Sequence, residues 1–384
     1  MEQIVPYMLC APKEFANPFI QDVLPMAFSD PLIMNAVMAL GGSTLGVHQP
    51  IDQEVKISFF KSYGDAINEL KHRLAHWAAD QSSESEGIRI FLAVLLMCHY
   101  EAIRGNQKGE FFVHLRAGRV LAPVVHATRD GPLAPLVGVL LENYVYFELW
   151  SCLRLTPDDS DISAAAQVAI PQLDALRHMH TFGVMFGDAA EIFQYAPEIC
   201  KLATRRKIEV ETGSDLGCAA TFQRLKSEIT SCKGCTDNNH YHRHHHNDHN
   251  HPDTDQTFAQ GRIAAGIVSQ SAVFLFLLSA YLQDLDTDYL CEVSQPLVER
   301  MIDVLPQLRR TSFANTCFWP VIVTASYATT ELQRQRITEY FLPFMPIIVR
   351  ALELLQWVWE TEGAFGLAGL AMVVEDHGTS YCFG

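Results

Sequence analysis

An all-α fold is the architecture this sequence predicts: a multi-helix, layered, bundle-like body interrupted by one His-rich loop. Three observations carry the prediction. Apolar residues recur at spacings of three and four along most of the 384 residues. No run of alternating apolar and polar residues bounded by turn signals marks a strand. Capping residues, prolines and glycines punctuate the apolar segments where helices should start and stop. Hydrophobic residues make up 49% of the chain and charged residues 19%, which excludes a mainly disordered or collagen-like polymer.

Taken in order, the first helix signal is Ser29-Asp30-Pro31, a capping side chain followed by proline in the first turn. Gly41-Gly42 is the expected close of that helix. Next, Phe60, Tyr63, Ile67, Leu70, Leu74 and Trp77 step 3, 4, 3, 4, 3 and share one face, opposite Lys61, Asp65, Glu69 and His72. The pattern predicts further helices over 86–103, 111–126, 133–153, 162–179, 188–204 and 220–230. It continues over 258–282, 293–308, 314–342 with a break, and 346–360. Thr156-Pro157-Asp158-Asp159-Ser160-Asp161 caps the helix after it. The segment from Cys232 to His251 differs from all of this, with seven of the chain's sixteen histidines between His240 and His251 and almost no apolar residue. Such a stretch cannot build a core. It divides the chain into helical parts at 1–231 and 256–384, with 232–255 as a disordered Cys/His-rich loop between two parts of one domain.

Charge and thiols narrow the classes of function. Twenty-eight Lys and Arg against 44 Asp and Glu leave a net charge of −16, the wrong sign for a surface that neutralises phosphates. The ten cysteines are scattered, mostly in apolar surroundings such as Leu95-Leu96-Met97-Cys98, the pattern of reduced intracellular thiols. The start has no basic segment ahead of an apolar run. The longest apolar stretch, from Ser271 to Leu282, falls short of the ~20 residues a membrane span needs. A soluble intracellular protein is the expectation.

The motifs that carry chemistry are few. Cys232-x-x-Cys235 and the histidines up to His251 are ligand types for zinc, copper or nickel. A folded site needs ligands fixed by spacing and by outer hydrogen bonds, whereas this loop offers an undifferentiated surplus. Adventitious divalent-metal binding is therefore expected there, and no cofactor, metal or catalytic residue is assigned. Two acidic groups, Asp158, Asp159 and Asp161, and Asp284, Asp286 and Asp288, invite comparison with enzymes that hold magnesium diphosphate between helices. Both read as solvated helix ends. His99, His114, His126, His178 and His180 read as core or boundary histidines, and Arg205-Arg206-Lys207 as a short basic cluster that could contribute to nuclear import. No Gly-x-Ser-x-Gly, Gly-x-Gly-x-x-Gly, phosphate-binding Gly-Lys-Ser/Thr or His-Glu-x-x-His motif is present.

Several blocks in order are more specific than any one of them. Asn17-Pro18-Phe19 leads through an apolar turn to Ser29-Asp30-Pro31 and a Leu- and Ala-rich helix ending near Leu40. Phe91-Leu92-Ala93-Val94-Leu95-Leu96-Met97-Cys98-His99-Tyr100-Glu101 with Gly105, and then His114-Leu115-Arg116-Ala117-Gly118-Arg119, form a second block. Phe318-Trp319-Pro320-Val321-Ile322 with Arg336, and the segment from Ala351 to Glu360 with Trp357 and Trp359, close the series. The set resembles the fungal-specific transcription factor domain, the regulatory region of fungal zinc binuclear cluster transcription factors, over nearly the whole chain.

The resemblance implies a nuclear, and in part cytoplasmic, regulator that is not an enzyme. It would control pathway genes through other transcription regulators or coactivators, through homo- or heterodimers, or through a small-molecule effector held between helices. It also implies a zinc cluster ahead of the helical region that places a helix in the DNA major groove. That cluster needs six closely spaced cysteines, and only Cys10 precedes Asn17. The expectation for the chain as written is a regulatory region without its zinc cluster, with no DNA binding and no membrane contact of its own. The alternative is an all-α metabolite-binding protein or terpene-synthase-like enzyme, built around an interior rich in Phe (22) and Met (11). Trp357 and Trp359 are core residues in one reading and dimer anchors in the other.

Overall fold

The computed structural model describes residues 19–48, 52–79, 84–104, 109–131, 133–152, 162–163, 165–179, 181–232, 252–283, 287–341 and 346–378. Every regular element among them is a helix, and no strand occurs there. The first half holds α1 (Leu24–Ser29), α2 (Pro31–His48), α3 (Gln53–Ala79), α4 (Glu84–Ile103), α5 (Glu110–Ala127) and α6 (Ala134–Cys152). Short α7 (Ile170–Leu176) and α8 (Ala190–Phe193) lead to α9 (Ala196–Thr212) and α10 (Cys218–Ser231). The second half holds α11 (Pro252–Leu282), α12 (Thr287–Leu308), α13 (Phe313–Thr316), α14 (Phe318–Ala325), α15 (Glu331–Tyr340), α16 (Pro346–Glu360) and α17 (Gly366–Asp376).

Three helices are apolar on nearly all sides, and all three run through the interior, as such helices must. In α4 the side chains from Gly87 to Ala102 are buried except Arg89, and in α6 those from Leu136 to Cys152 all are. The third, α11, buries Ala264, Val268, Ala272, Val273, Leu275, Leu277 and Leu278. It corrects the reading of the apolar stretch from Ser271 to Leu282. The apolar helix extends back to Gln256, long enough to cross a membrane, but 72% of its most apolar window is buried inside the protein. Layers form around these three. α2 and α3 pair and cover α4, which also packs on α5 and α6. α11 packs on α9 and α10 on one side and on α12 and α14 on the other, so the two halves share one core. Fully buried Trp319 of α14 marks the junction, with its ring 5.9 Å from Trp150 of α6 and 6.2 Å from both Phe193 of α8 and Phe276 of α11.

Local signals explain some boundaries and packing explains others. Asp30 caps α2 through its Oδ1, which accepts from the Leu32 N–H at 2.9 Å, and Pro31 fills the first turn. Gly41-Gly42 does not end that helix, contrary to the sequence expectation, and α2 runs on to His48. The reason is packing. A Cβ at Gly42 would overlap the Phe59 ring of α3, so this glycine serves close helix approach rather than termination. The predicted face of α3 buries Leu70 and Trp77, with buried Ala66 one turn before Leu70, while Phe60 stays 53% exposed beneath the Arg104 guanidinium. α11 begins at Pro252, ahead of the expected boundary at 256, and α17 was not expected at all. The loop assigned to 232–255 lies outside the described residues except Cys232 and the first turn of α11.

Candidate functional site

Polar groups cluster where α3, α4 and α5 meet. Glu101, near the end of α4, and His114, one turn into α5, are each below 10% exposed, and Tyr63 of α3 reaches in between them. The Tyr63 hydroxyl donates to Glu101 Oε1 at 2.5 Å and lies 3.3 Å from His114 Nε2. A hydroxyl has one proton to give, so His114 must donate its Nε2–H to the Tyr63 oxygen, which makes a relay from His114 through Tyr63 to Glu101. Burial pushes the Glu101 carboxyl above its ordinary range and holds His114 neutral, its imidazolium form disfavoured down to about 4. Tyr100 stacks on Tyr63 with ring centroids 4.2 Å apart, and Arg104 covers both Phe60 and Tyr100. The group is a closed hydrogen-bonded set with an aromatic and guanidinium rim.

Two further polar sets lie deeper. Glu148 of α6 is wholly buried and receives Arg119 of α5 in a two-pronged pair, Nε to Oε1 at 2.8 Å and Nη2 to Oε2 at 3.0 Å. Six residues earlier on the same helix, Glu142 is also wholly buried but faces backbone instead of a cation. Its Oε1 accepts from the N–H groups of Gly183, Met185 and Phe186 at 3.1, 2.8 and 3.2 Å, and Oε2 accepts from Gly183 at 3.0 Å. The carboxyl therefore clamps residues 183–186 onto α6. Burial pushes its pKa up to about 7, against the opposing pull of those backbone donors. Beside it, Asn143 Nδ2 donates to His99 Nε2 at 2.8 Å, and burial drives the His99 pKa down to about 3.

The residues singled out in the sequence divide accordingly. His99 and His114 are core histidines with neutral side-chain partners. His126 is half-buried in the last turn of α5 and His178 is exposed. Asp288 sits exposed in the first turn of α12, whereas Asp158, Asp159, Asp161, Asp284, Asp286, His180, Cys235 and His240 to His251 lie outside the described residues. In the basic cluster, Arg205 donates to the Leu216 carbonyl, and Arg206 bonds Glu209 at 2.6 Å and covers the Tyr281 ring. Trp357 stacks on His377 and meets the Arg350 guanidinium, and Trp359 donates its indole N–H to the Ala325 carbonyl at 3.1 Å. Among the described residues, no group of three His, Cys, Asp or Glu side chains is arranged to hold a metal ion. Sequence reasoning missed Glu142 and Glu148, although each is a carboxylate inside an otherwise apolar helix, which is a readable anomaly.

A family model decides what this helical body is. The model of the fungal specific transcription factor domain matches residues 1–370. The chain belongs to that family. No curated protein and no solved structure matches it. The blocks that carried the resemblance now have a structural meaning in this domain. Asp30 holds Arg73 of α3 through Oδ2 at 2.8 Å and Oδ1 at 2.9 Å, Glu101 and His114 form the relay with Tyr63, Arg119 neutralises Glu148, and Trp319 joins the halves. The blocks mark struts between helices.

Proposed function

We propose that this fungal transcription regulator controls pathway genes by binding, through contacts with other regulators or coactivators and through an effector or self-association that sets those contacts. The observation that carries the reading is the family match over residues 1–370. The geometry supports binding rather than catalysis, because the buried ionisable groups at the α3, α4 and α5 junction are bonded to one another. No reacting atom is offered to a substrate there. A nuclear location follows from the same reading. DNA contact by this helical surface is not part of it, since the charge is −16 and two of the three residues in the basic cluster bond within the domain.

Transcript profiling of a strain deleted for the gene tests the proposal. A coherent set of genes, rising or falling together, is the expected result, and an unchanged profile under every nutrient condition tried contradicts it. Mapping the 5′ end of the transcript sharpens it further. An upstream in-frame segment with six closely spaced cysteines makes direct promoter binding the expected route, and a start at Met1 makes recruitment by a partner the expected route.

A further inference from the structure

Two histidines that the regulatory reading does not use stand together on the outside of α3. His72 and His76 are four residues apart, both exposed, and their Nε2 atoms face each other at 3.1 Å with ring centroids 4.4 Å apart. Side chains at i and i+4 share one face of a helix, the arrangement by which paired histidines chelate a metal from a rigid backbone. Distance decides whether this pair fits. Metal–imidazole bonds of about 2.0–2.1 Å put two nitrogens about 3.3 Å apart at a tetrahedral angle and about 2.9 Å apart at the right angle of a tetragonal copper site. The observed separation lies between these, so either ion needs only a few tenths of an ångström of adjustment.

Position on the helix adds to this. α3 ends at Ala79, which places His76 in its last turn, where unpaired carbonyls and the negative end of the helix dipole favour a cation. Glu69 and Arg73 lie three residues before His72 and His76, respectively, on the same helix. Arg73 is directed inward to Asp30, and its Nε bonds Glu69 at 2.8 Å. From this geometry we propose that His72 and His76 form a two-imidazole chelate for a divalent transition metal, copper(II) ahead of zinc, with water completing the coordination. The site staples the last two turns of α3, the helix whose Arg73 holds the α1–α2 corner. It stands on the pair alone and does not depend on the transcriptional reading.

The test must separate this pair from the Cys/His-rich segment, which supplies the same ligand types. The full, untagged chain is prepared with Cys232 and Cys235 changed to serine and the seven histidines between His240 and His251 changed to asparagine. Copper(II) is then titrated into this background protein and into the same protein carrying His72→Asn or His76→Asn. The background is expected to bind one copper with two-nitrogen hyperfine structure in its electron paramagnetic resonance spectrum and to gain thermal stability, about 2 °C per tenfold excess over Kd. Either single substitution should weaken binding at least tenfold and abolish that gain, while His178→Asn changes nothing. His76→Gln, a better helix former, keeps the readout clear if asparagine lowers the metal-free stability. Equal copper affinity in the background and the single variants, or no copper retained in the background, overturns the proposal and leaves the pair as a plain N–H···N hydrogen bond.

Discussion

The two halves of the core solve the same problem with different chemistry. Between α2 and α6 the buried polar groups are mostly ionisable: Asp30, His99, Glu101, His114, Glu142 and Glu148. From α11 onward, among the described residues, the buried polar set is Ser269, Ser271, Ser294, Thr316, Thr324, Ser326 and Gln333, with Arg262 the one charged member. The links between helices differ in kind too. Arg119–Glu148 and Arg73–Asp30 join the first half. In the second, the Tyr327 hydroxyl meets Ser279 Oγ at 2.5 Å, and Gln333 donates to Gln295 and Glu299 at 3.2 and 2.6 Å. A buried charge must be matched or it costs several kcal/mol, whereas a neutral hydroxyl costs far less to misplace. Dependence of stability on pH and on the loss of a single partner is therefore expected chiefly from the first half.

The largest expected effect breaks the charged side of this contrast. Arg119→Met removes the guanidinium from a fully buried carboxylate and should cost about 3–5 kcal/mol in urea unfolding, with Arg119→Met/Glu148→Met recovering most of it. An additive double variant would refute the pairing.

Next comes the pH dependence. Glu142 has a native pKa of about 7 against an ordinary 4.5, so the folded state binds more protons between those values, and its contribution to stability falls as pH rises from 4.5 to 7. His99 and His114, lowered to about 3 and about 4 from 6.5, act in the opposite sense. Their unfolded forms bind more protons, so the stability they contribute is complete above pH 6.5 and is lost as pH falls. Glu142→Gln keeps the three bonds to Oε1 and removes the opposing titration. The rise of stability between pH 4.5 and 6.5 should steepen by up to about 1.4 kcal/mol per pH unit. An unchanged slope would show that Glu142 ionises normally.

Smaller changes probe the neutral side. Tyr327→Phe removes the bond to Ser279 and should cost about 1–1.5 kcal/mol, independent of pH from 5 to 9, because burial pushes the phenol up to about 12. Smallest is Thr330→Ala at the start of α15. There Thr330 Oγ1 accepts from the Gln333 N–H at 3.3 Å, and Gln333 Oε1 accepts from the Thr330 N–H at 3.1 Å, so losing this reciprocal cap should cost about 1 kcal/mol. Chemical denaturation of both variants checks these values. A cost as large as that of Arg119→Met in either would erase the distinction between the halves.

What the sequence revealed follows the range of each interaction. Helix identity is local, so the stripe from Tyr63 to Trp77 announced α3, and Asp30-Pro31 announced the start of α2. Gly41-Gly42 misled because its role depends on Phe59, a residue of another helix. α17 escaped notice because Leu367, Leu370 and Val373 make only a short stripe among glycines. The polar junctions were legible only as residues, never as pairs. Tyr63 lies 38 positions from Glu101, and Glu142 finds its donors 41 to 44 positions away. Such pairing is created by packing, which periodicity does not encode. The family blocks nonetheless pointed at several of the right residues, Asp30, Glu101, His114 and Arg119 among them, before any partner was visible.

Tethering residues 1–384 to a heterologous DNA-binding module upstream of a reporter gene in a fungal host tests the central claim most directly. The account predicts that reporter transcription changes, up or down, and that Arg119→Met weakens the change by destabilising the domain while Arg119→Met/Glu148→Met restores it. A reporter indifferent to the tethered, folded and nuclear domain would contradict the assignment of this chain as a transcription regulator.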